Sequence, residues 1–259
     1  MEPVKWREWA AAGVGLLAAL GLRLFEFRAI PNPAPNPDEW NWMWFGLSQL
    51  EGRPATGWTL FWTAYPPANV VPPPPPFYEP LAHPYLDAPP LFAWIAGAAA
   101  WLDGDRTLLD TIHDPGPRLV GIALAIIAAA LAFALGRRVL GLAPAVVGLF
   151  LFAVSPAPVV LGRLLAAEQL LAVLLLAALL AVYQLRRTPG DRRWLAVLVG
   201  CCLVAPLAKA PGLAVGVSAA ILLASRRQFR LAAVAGGAAL GGQALVLLYS
   251  ATQDWHVYT

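Results

Sequence analysis

The sequence predicts an all-α polytopic membrane protein: about seven transmembrane helices, with a large first outer loop that carries interfacial helices. Three observations predict it. The 259-residue chain is 59% hydrophobic and 13% charged, where soluble domains carry about 25% charged residues. Apolar stretches long enough, or nearly long enough, to cross a bilayer recur along it. Basic residues stand in short clusters between those stretches, and most tryptophans crowd into one connecting segment. The net charge of +3, without a long basic tract, gives no support to nucleic acid as a partner.

Lys5 and Arg7 precede an apolar run from about Trp9 to Phe27. A cleaved signal peptide has a shorter apolar core and a small-residue cleavage site, and "FEFRAIPNP" is a poor one, so an uncleaved first transmembrane helix is expected. Further spans are expected at about 119–136, 139–160, 165–185, 194–208, 211–225 and 231–249. The stretch "APPLFAWIAGAAAWL" (88–102) is short for a span, and orientation decides its place. If it stays on one side, the clusters Arg137/Arg138, Arg186/Arg187, Arg192/Arg193 and Arg226/Arg227/Arg230 all join Lys5 and Arg7 in the cytoplasm. It is therefore read as an interfacial helix, with the N-terminus inside and the C-terminus outside an inner (cell) membrane. In "WLAVLVGCCLVAPLAKAPGLAVGVSAAILLAS" the residues Pro206, Lys209, Pro211 and Gly212 separate two short helices. One long helix is the alternative, and it places Arg226 and Arg227 outside, against the charge rule. Cys201 and Cys202 are adjacent and read as packing residues.

This topology makes residues 1–259 one transmembrane module with a first outer (periplasmic or extracellular) loop at 28–117. The loop holds most of the acidic residues, the run "VVPPPPPFYEP", and seven of the eleven tryptophans. Pro72–Pro76 reads as a stiff strut. Tryptophan prefers the headgroup level, so a helix over 38–50 is expected to float there, capped by Asp38 or Asn36.

Asp38 and Glu39 thus sit just above lipid. Capping and the helix dipole account for one acid; a pair points to a general base or to a carboxylate ligand for a divalent cation. The turn "SPAPVVLGRLLAAEQLL" puts Arg163 and Glu168 at the same boundary, where dipole compensation is the plain explanation for Glu168. Lys209, the only lysine after Lys5, lies there too, where it can snorkel. Two lone cations near two acidic positions fit an anionic headgroup beside carboxylates. His83 and Asp87 stand in "HPYLDAPPLFAW", before the interfacial helix. No HExxH, GxSxG, P-loop or CxxC pattern occurs, which leaves zincin, serine hydrolase and ATPase chemistries without support.

The order of these parts resembles the GT-C membrane glycosyltransferases: a first helix, an outer loop opening with an acidic pair, a "PPL" helix, then "RLVGIALAIIAAALAFALGRRVLGLAPAVVGLFLFAVSP", "GRLLAAEQLL" and "LAKAPGL". Within them it is similar to relatives of protein O-mannosyltransferases and of the lipid A aminoarabinose transferase. The resemblance implies transfer of a sugar from a polyprenyl-phosphate carrier to a protein, lipid or glycan acceptor on the outer face. It implies that Asp38 is the base or helps to bind metal or acceptor, with Glu39 as its usual neighbour and Glu168 in support. It further implies that Arg118, Arg163 and Lys209 contact the substrate or its phosphate, and that His83 and Asp87 belong to the "HPPL" or "KPPL" stretch. Ala88 stands where the lipid A branch has lysine, which moves that phosphate contact to Lys209 or Arg163. The resemblance fixes no cofactor; should a divalent cation (Mg or Mn) take part, Asp38 and Glu168 are its candidate ligands. Family members run well beyond this length, so the chain is expected to be a fragment or a minimal core.

Two other readings compete. A non-catalytic module of the same ancestry would bind a lipid-linked sugar, or scaffold a partner, without turnover. A transporter would place polar or broken helices near mid-membrane, often in inverted repeats, whereas the ionisable residues here crowd one edge. The Ala-, Arg- and Pro-rich usage is consistent with a GC-rich bacterial genome.

Overall fold

The computed structural model describes residues 6–32, 37–72 and 80–253. The expected polyproline strut, Asn36 as a cap, Lys5 and His256 lie outside the described residues, apart from Pro72. The first helix, α1 (Trp6–Leu24), is followed by turns and then by α2 (Pro37–Leu50). Three two-residue strands follow in the loop: β1 (Gly57–Trp58), β2 (Val70–Val71) and β3 (Leu81–Ala82). They form an antiparallel sheet in the order β1-β3-β2, with Gly57 and Val70 both opposite Ala82. Next come α3 (Pro90–Asp103), α4 (Leu108–His113), α5 (Arg118–Val139), α6 (Leu142–Val154), α7 (Pro156–Leu161), α8 (Ala167–Arg187), α9 (Arg192–Ala208), α10 (Leu213–Ala224) and α11 (Phe229–Gln253).

The helices correspond to the predicted apolar segments, with one informative difference and one agreement in where they break. The segment expected as one helix over 139–160 is two, because Pro156 excludes the helical conformation at the residue before it, and Ser155 is extended at φ −66° and ψ 133°. The break between the fifth and sixth expected spans is where it was expected, at Lys209 before Pro211 and Gly212, while Pro206 lies inside α9. Lys209 is extended there, followed by a single 3-10 turn over Ala210–Gly212. A Cβ on Gly212 would lie 1.9 Å from the Ala205 carbonyl oxygen, so the turn closes this tightly only on glycine. Such breaks shorten the helices: three of the described ones, α5, α8 and α11, are long and apolar enough to cross a membrane, and α1, α6 and α10 contribute shorter apolar stretches.

The bundle has two distinct ends. At one, the Tyr183 hydroxyl donates to the Arg138 carbonyl at 3.0 Å, and Gln228 donates to the Leu185 carbonyl. The arginine clusters closing α5 and α8 therefore share that end with the start of α10–α11 pairing and the N-terminal part of α1. At the other end α3 lies along α2 rather than following α1 through the bundle. That is the placement expected of a helix that does not cross.

One expectation about α2 needs correction. It does not float as a single amphipathic helix with its tryptophans at headgroup level: Trp40 and Trp42 are buried, 3% and 7% exposed. The reason is packing on two sides: Trp42 lies edge-on to Phe92 of α3 at 5.3 Å, Trp40 faces Ile112 of α4 and Leu165, and Phe45 lies edge-on to Tyr85 of the loop before α3 at 5.0 Å. The two helices touch backbone to backbone. A Cβ on Gly46 would lie 1.8 Å from the Ala93 carbonyl oxygen, and one on Gly97 2.3 Å from the Gly46 carbonyl carbon. Neither clash can be relieved by rotating a side chain, so Gly97→Leu is expected to cost more than the ~1–3 kcal/mol of ordinary overpacking. A drop in melting temperature of the purified protein well beyond that of Gly236→Leu, where a Cβ meets nothing within 4 Å, checks it.

Candidate functional site

Asp38 and Glu39 are consecutive in the first turn of α2, so their side chains leave the helix about 100° apart. One carboxylate points into the protein and the other out of it. Glu39 is buried at 4% exposure. Its Oε1 accepts from Arg118 Nε at 2.9 Å and its Oε2 from Arg118 Nη2 at 2.6 Å, a bidentate pair. The Leu165 backbone N–H also donates to Oε1, at 2.8 Å. Arg118, itself 2% exposed, spends its remaining Nη1 on the carbonyls of Phe27 and Pro31, at 3.1 and 2.6 Å. A single ion pair thus ties together the chain after α1 and the starts of α2, α5 and α8. Both charges being buried, neither could be left without the other.

Asp38 is exposed, in the first turn of the helix rather than outside it as a cap. It lines an open cleft of about 240 Å³ together with Asn41, Trp58, Tyr85, Asp87 and Lys209. Asn41 follows Asp38 by three positions and so shares its helix face. The Asn41 amide is fully used: its Oδ1 accepts from the Trp58 N–H at 2.9 Å, and its Nδ2 donates to the Tyr85 hydroxyl at 3.2 Å. Burial pushes the Tyr85 hydroxyl well above its ordinary pKa, the Asn41 bond opposes this, and the charges of Asp87 and Asp38 push it further up. Tyr85 is therefore a neutral phenol whose proton is available to an acceptor in the cleft.

On the far wall Asp87 accepts from the hydroxyls of Thr59 and Tyr65, the latter at 2.7 Å. The Leu86 N–H donates to that same Tyr65 oxygen at 3.0 Å. Burial, then the bond to Asp87, raise Tyr65 far out of its usual range. The tyrosine is thus a fixed donor, and Asp87 keeps its orientation in the cleft. Trp58 is anchored by its indole N–H to the Pro37 carbonyl at 3.2 Å.

Lys209 reaches the cleft from the break between α9 and α10, and its ammonium pairs with Glu168 in the first turn of α8. Glu168 is mostly exposed and does not line the cleft itself. Arg163 is elsewhere. Buried at 6% exposure, it donates to the carbonyls of Leu22 and Ile30 at 2.7 and 3.2 Å, so the partner expected for it is backbone, not a carboxylate. Its neighbour Arg23, fully buried, clamps the carbonyls of Ala19, Pro158 and Phe152 in the same way. His83 is half-buried, with its backbone N–H donating to the Asn69 carbonyl at 3.0 Å, and is not among the residues lining the cleft.

The structure therefore gathers Asp38, Asp87 and Lys209, with Glu168 behind Lys209. It places Glu39 with Arg118, and sets Arg163 and His83 apart. For a divalent cation the donor set fits poorly: Glu168 is committed to Lys209, and no group of three metal-binding side chains occurs among the described residues. No step is derived through a metal. Asn41, Trp58, Thr59, Tyr65 and Tyr85 were not singled out from sequence. Only Asn41 carried a usable signal, its i+3 spacing from Asp38 in an otherwise aromatic helix.

A helical bundle with several apolar helices and, at one end, an aromatic cleft lined by a carboxylate and an ammonium has the architecture of a multi-pass membrane protein. The sequence profile of the dolichyl-phosphate-mannose-protein mannosyltransferase family matches residues 87–251, and the chain belongs to that family: it is a membrane glycosyltransferase of the GT-C type. The match includes Asp87, Arg118, Arg163, Glu168 and Lys209 and begins after α2. No similar curated protein and no similar solved structure was found.

Proposed function

We propose that the chain transfers a sugar, mannose by its family, from a polyprenyl-phosphate carrier to an acceptor hydroxyl at the cleft, on the outer face of the cell membrane. The observation that carries this reading is the cleft itself: Asp38 and Lys209 line one cavity between aromatic walls. Asp38 takes the acceptor hydroxyl's proton as the new bond forms at the anomeric carbon. The bond from that carbon to the phosphate oxygen breaks with inversion, and the departing phosphate takes the electron pair. Lys209, held by Glu168, stabilises that charge. Tyr85 and Asp87 offer a donor and an acceptor to the sugar hydroxyls. Glu39, Arg118 and Arg163 position the chain segments around the site without reaching the substrate. The carrier's polyprenyl tail lies in the surrounding bilayer.

Native mass spectrometry of the purified protein with polyprenyl-phosphate mannose tests this. Wild type is expected to retain one lipid, and Lys209→Ala to lose most of it; a hydrogen bond to a charged group is worth ~1.5–3 kcal/mol, or about 10- to 150-fold. Arg163→Ala, by contrast, is expected to lower the melting temperature rather than act selectively on the carrier. Equal retention by wild type and Lys209→Ala at equal stability would remove Lys209 from the site. Retention without release of polyprenyl phosphate would favour a non-catalytic, carrier-binding module.

A further inference from the structure

At the end of the bundle opposite the cleft, α1 and α8 both pack on α5 and leave a groove of about 680 Å³ between them. Its floor is apolar, made by Ala12 and Leu16 of α1 and Phe133 of α5. Its rim is basic and held in place by its own contacts. The Arg187 guanidinium stacks over the Tyr183 ring at 4.7 Å, and the Tyr183 hydroxyl donates to the Arg138 carbonyl. Arg138 spends one Nη1 bond on the Ala134 carbonyl at 2.9 Å, and both arginines stay exposed. Arg137 adds a third cation, and no acidic residue is found among the described residues that line the groove.

We infer that this groove binds one anionic phospholipid of the leaflet opposite the cleft, its acyl chain along α5 and its phosphodiester on Arg138 and Arg187. Charge complementarity selects the occupant. An apolar trough opening onto the exposed guanidiniums of Arg138 and Arg187 at the end of a membrane helix matches an amphiphile with a negative head, whereas a neutral lipid offers them no charge. A soluble anion would leave the trough unfilled. The Trp9 ring, exposed at 61% on the groove's rim, stands where an interfacial aromatic anchors a headgroup. The site is independent of the transfer reaction, so it stands or falls separately from the proposed activity.

The test is native mass spectrometry of the full chain titrated with phosphatidylglycerol and, in parallel, phosphatidylcholine of the same acyl chains. Phosphatidylglycerol is expected to be retained preferentially. Removing two charges with Arg138→Gln/Arg187→Gln should weaken it about thirty-fold, at roughly one charge's worth of headgroup attraction each. Gly13→Leu supplies a second test that leaves every charge in place. A Cβ there meets nothing within 4 Å, so the new side chain enters the groove without disturbing its walls, and phosphatidylglycerol should be excluded. Should the arginine variant fail to fold, Gly13→Leu and the comparison of the two lipids still decide. Equal retention of the two lipids, or unchanged retention in either folded variant, overturns the assignment. So does a preference for polyprenyl monophosphate over phosphatidylglycerol that is lost in the same variants, which would make the groove a carrier site instead.

Discussion

Asp38→Asn is expected to abolish sugar transfer while the protein folds, melts and retains carrier as wild type does. The substitution is close to isosteric, and Asp38 is exposed at the edge of the cleft, so no buried partner loses its bond. What disappears is the proton acceptor. General-base catalysis contributes about 10²–10⁴-fold, and loss of that order is anticipated in the release of polyprenyl phosphate from polyprenyl-phosphate mannose. The measurement is turnover of the purified full chain beside its melting curve. A variant that turns over at the wild-type rate would exclude Asp38 as the base and leave Asp87, the other carboxylate in the cleft, as the one to change next.

The neighbouring residue should behave in the opposite manner. Glu39→Gln leaves the Arg118 guanidinium buried without a counter-charge, and breaking such a pair from one side costs ~3–5 kcal/mol. The loss falls on four chain segments at once, since Arg118 also holds the carbonyls of Phe27 and Pro31 and Glu39 the Leu165 N–H. A melting temperature lowered by many degrees, with activity and carrier retention falling together, is the expected result. The double variant Glu39→Leu/Arg118→Met should recover part of the stability, because an apolar pair of similar volume removes the orphaned charge. Recovery stays partial, as the carbonyls of Phe27 and Pro31 then lose their donor. Wild-type stability in Glu39→Gln would show that the pair carries no net weight. Selective loss of turnover with stability intact would instead return Glu39 to the chemistry.

Two acids adjacent in sequence thus have unrelated duties, and this contrast shows where sequence reading stops. The all-helical membrane architecture was legible because hydrophobicity and arginine placement are local in the chain. So was the break around Lys209, because proline and glycine limit the backbone where they stand. The presence of Asp38 and Lys209 in one cleft could be expected only in outline, from both residues being assigned to the same boundary. Which cation meets which acid depends on contacts between positions 41 and more residues apart. Lys209 chose Glu168, Glu39 chose Arg118, and Arg163 chose backbone carbonyls that no sequence pattern marks.

What the amino-acid order determined by itself is therefore the main apolar helices, the break around Lys209 and the gathering of ionisable groups near the helix ends. Each follows from the chemistry of a residue and its immediate neighbours. The tertiary structure decided the rest: the burial of Trp40 and Trp42, the division of labour between Asp38 and Glu39, and the Tyr65–Asp87–Thr59 network on the cleft wall. The physical reason is that turning a helix by one residue moves a side chain about 100°, from solvent to core. Only the position of a second helix, here held against α2 by the meeting of Gly46 and Gly97, says which direction is the core.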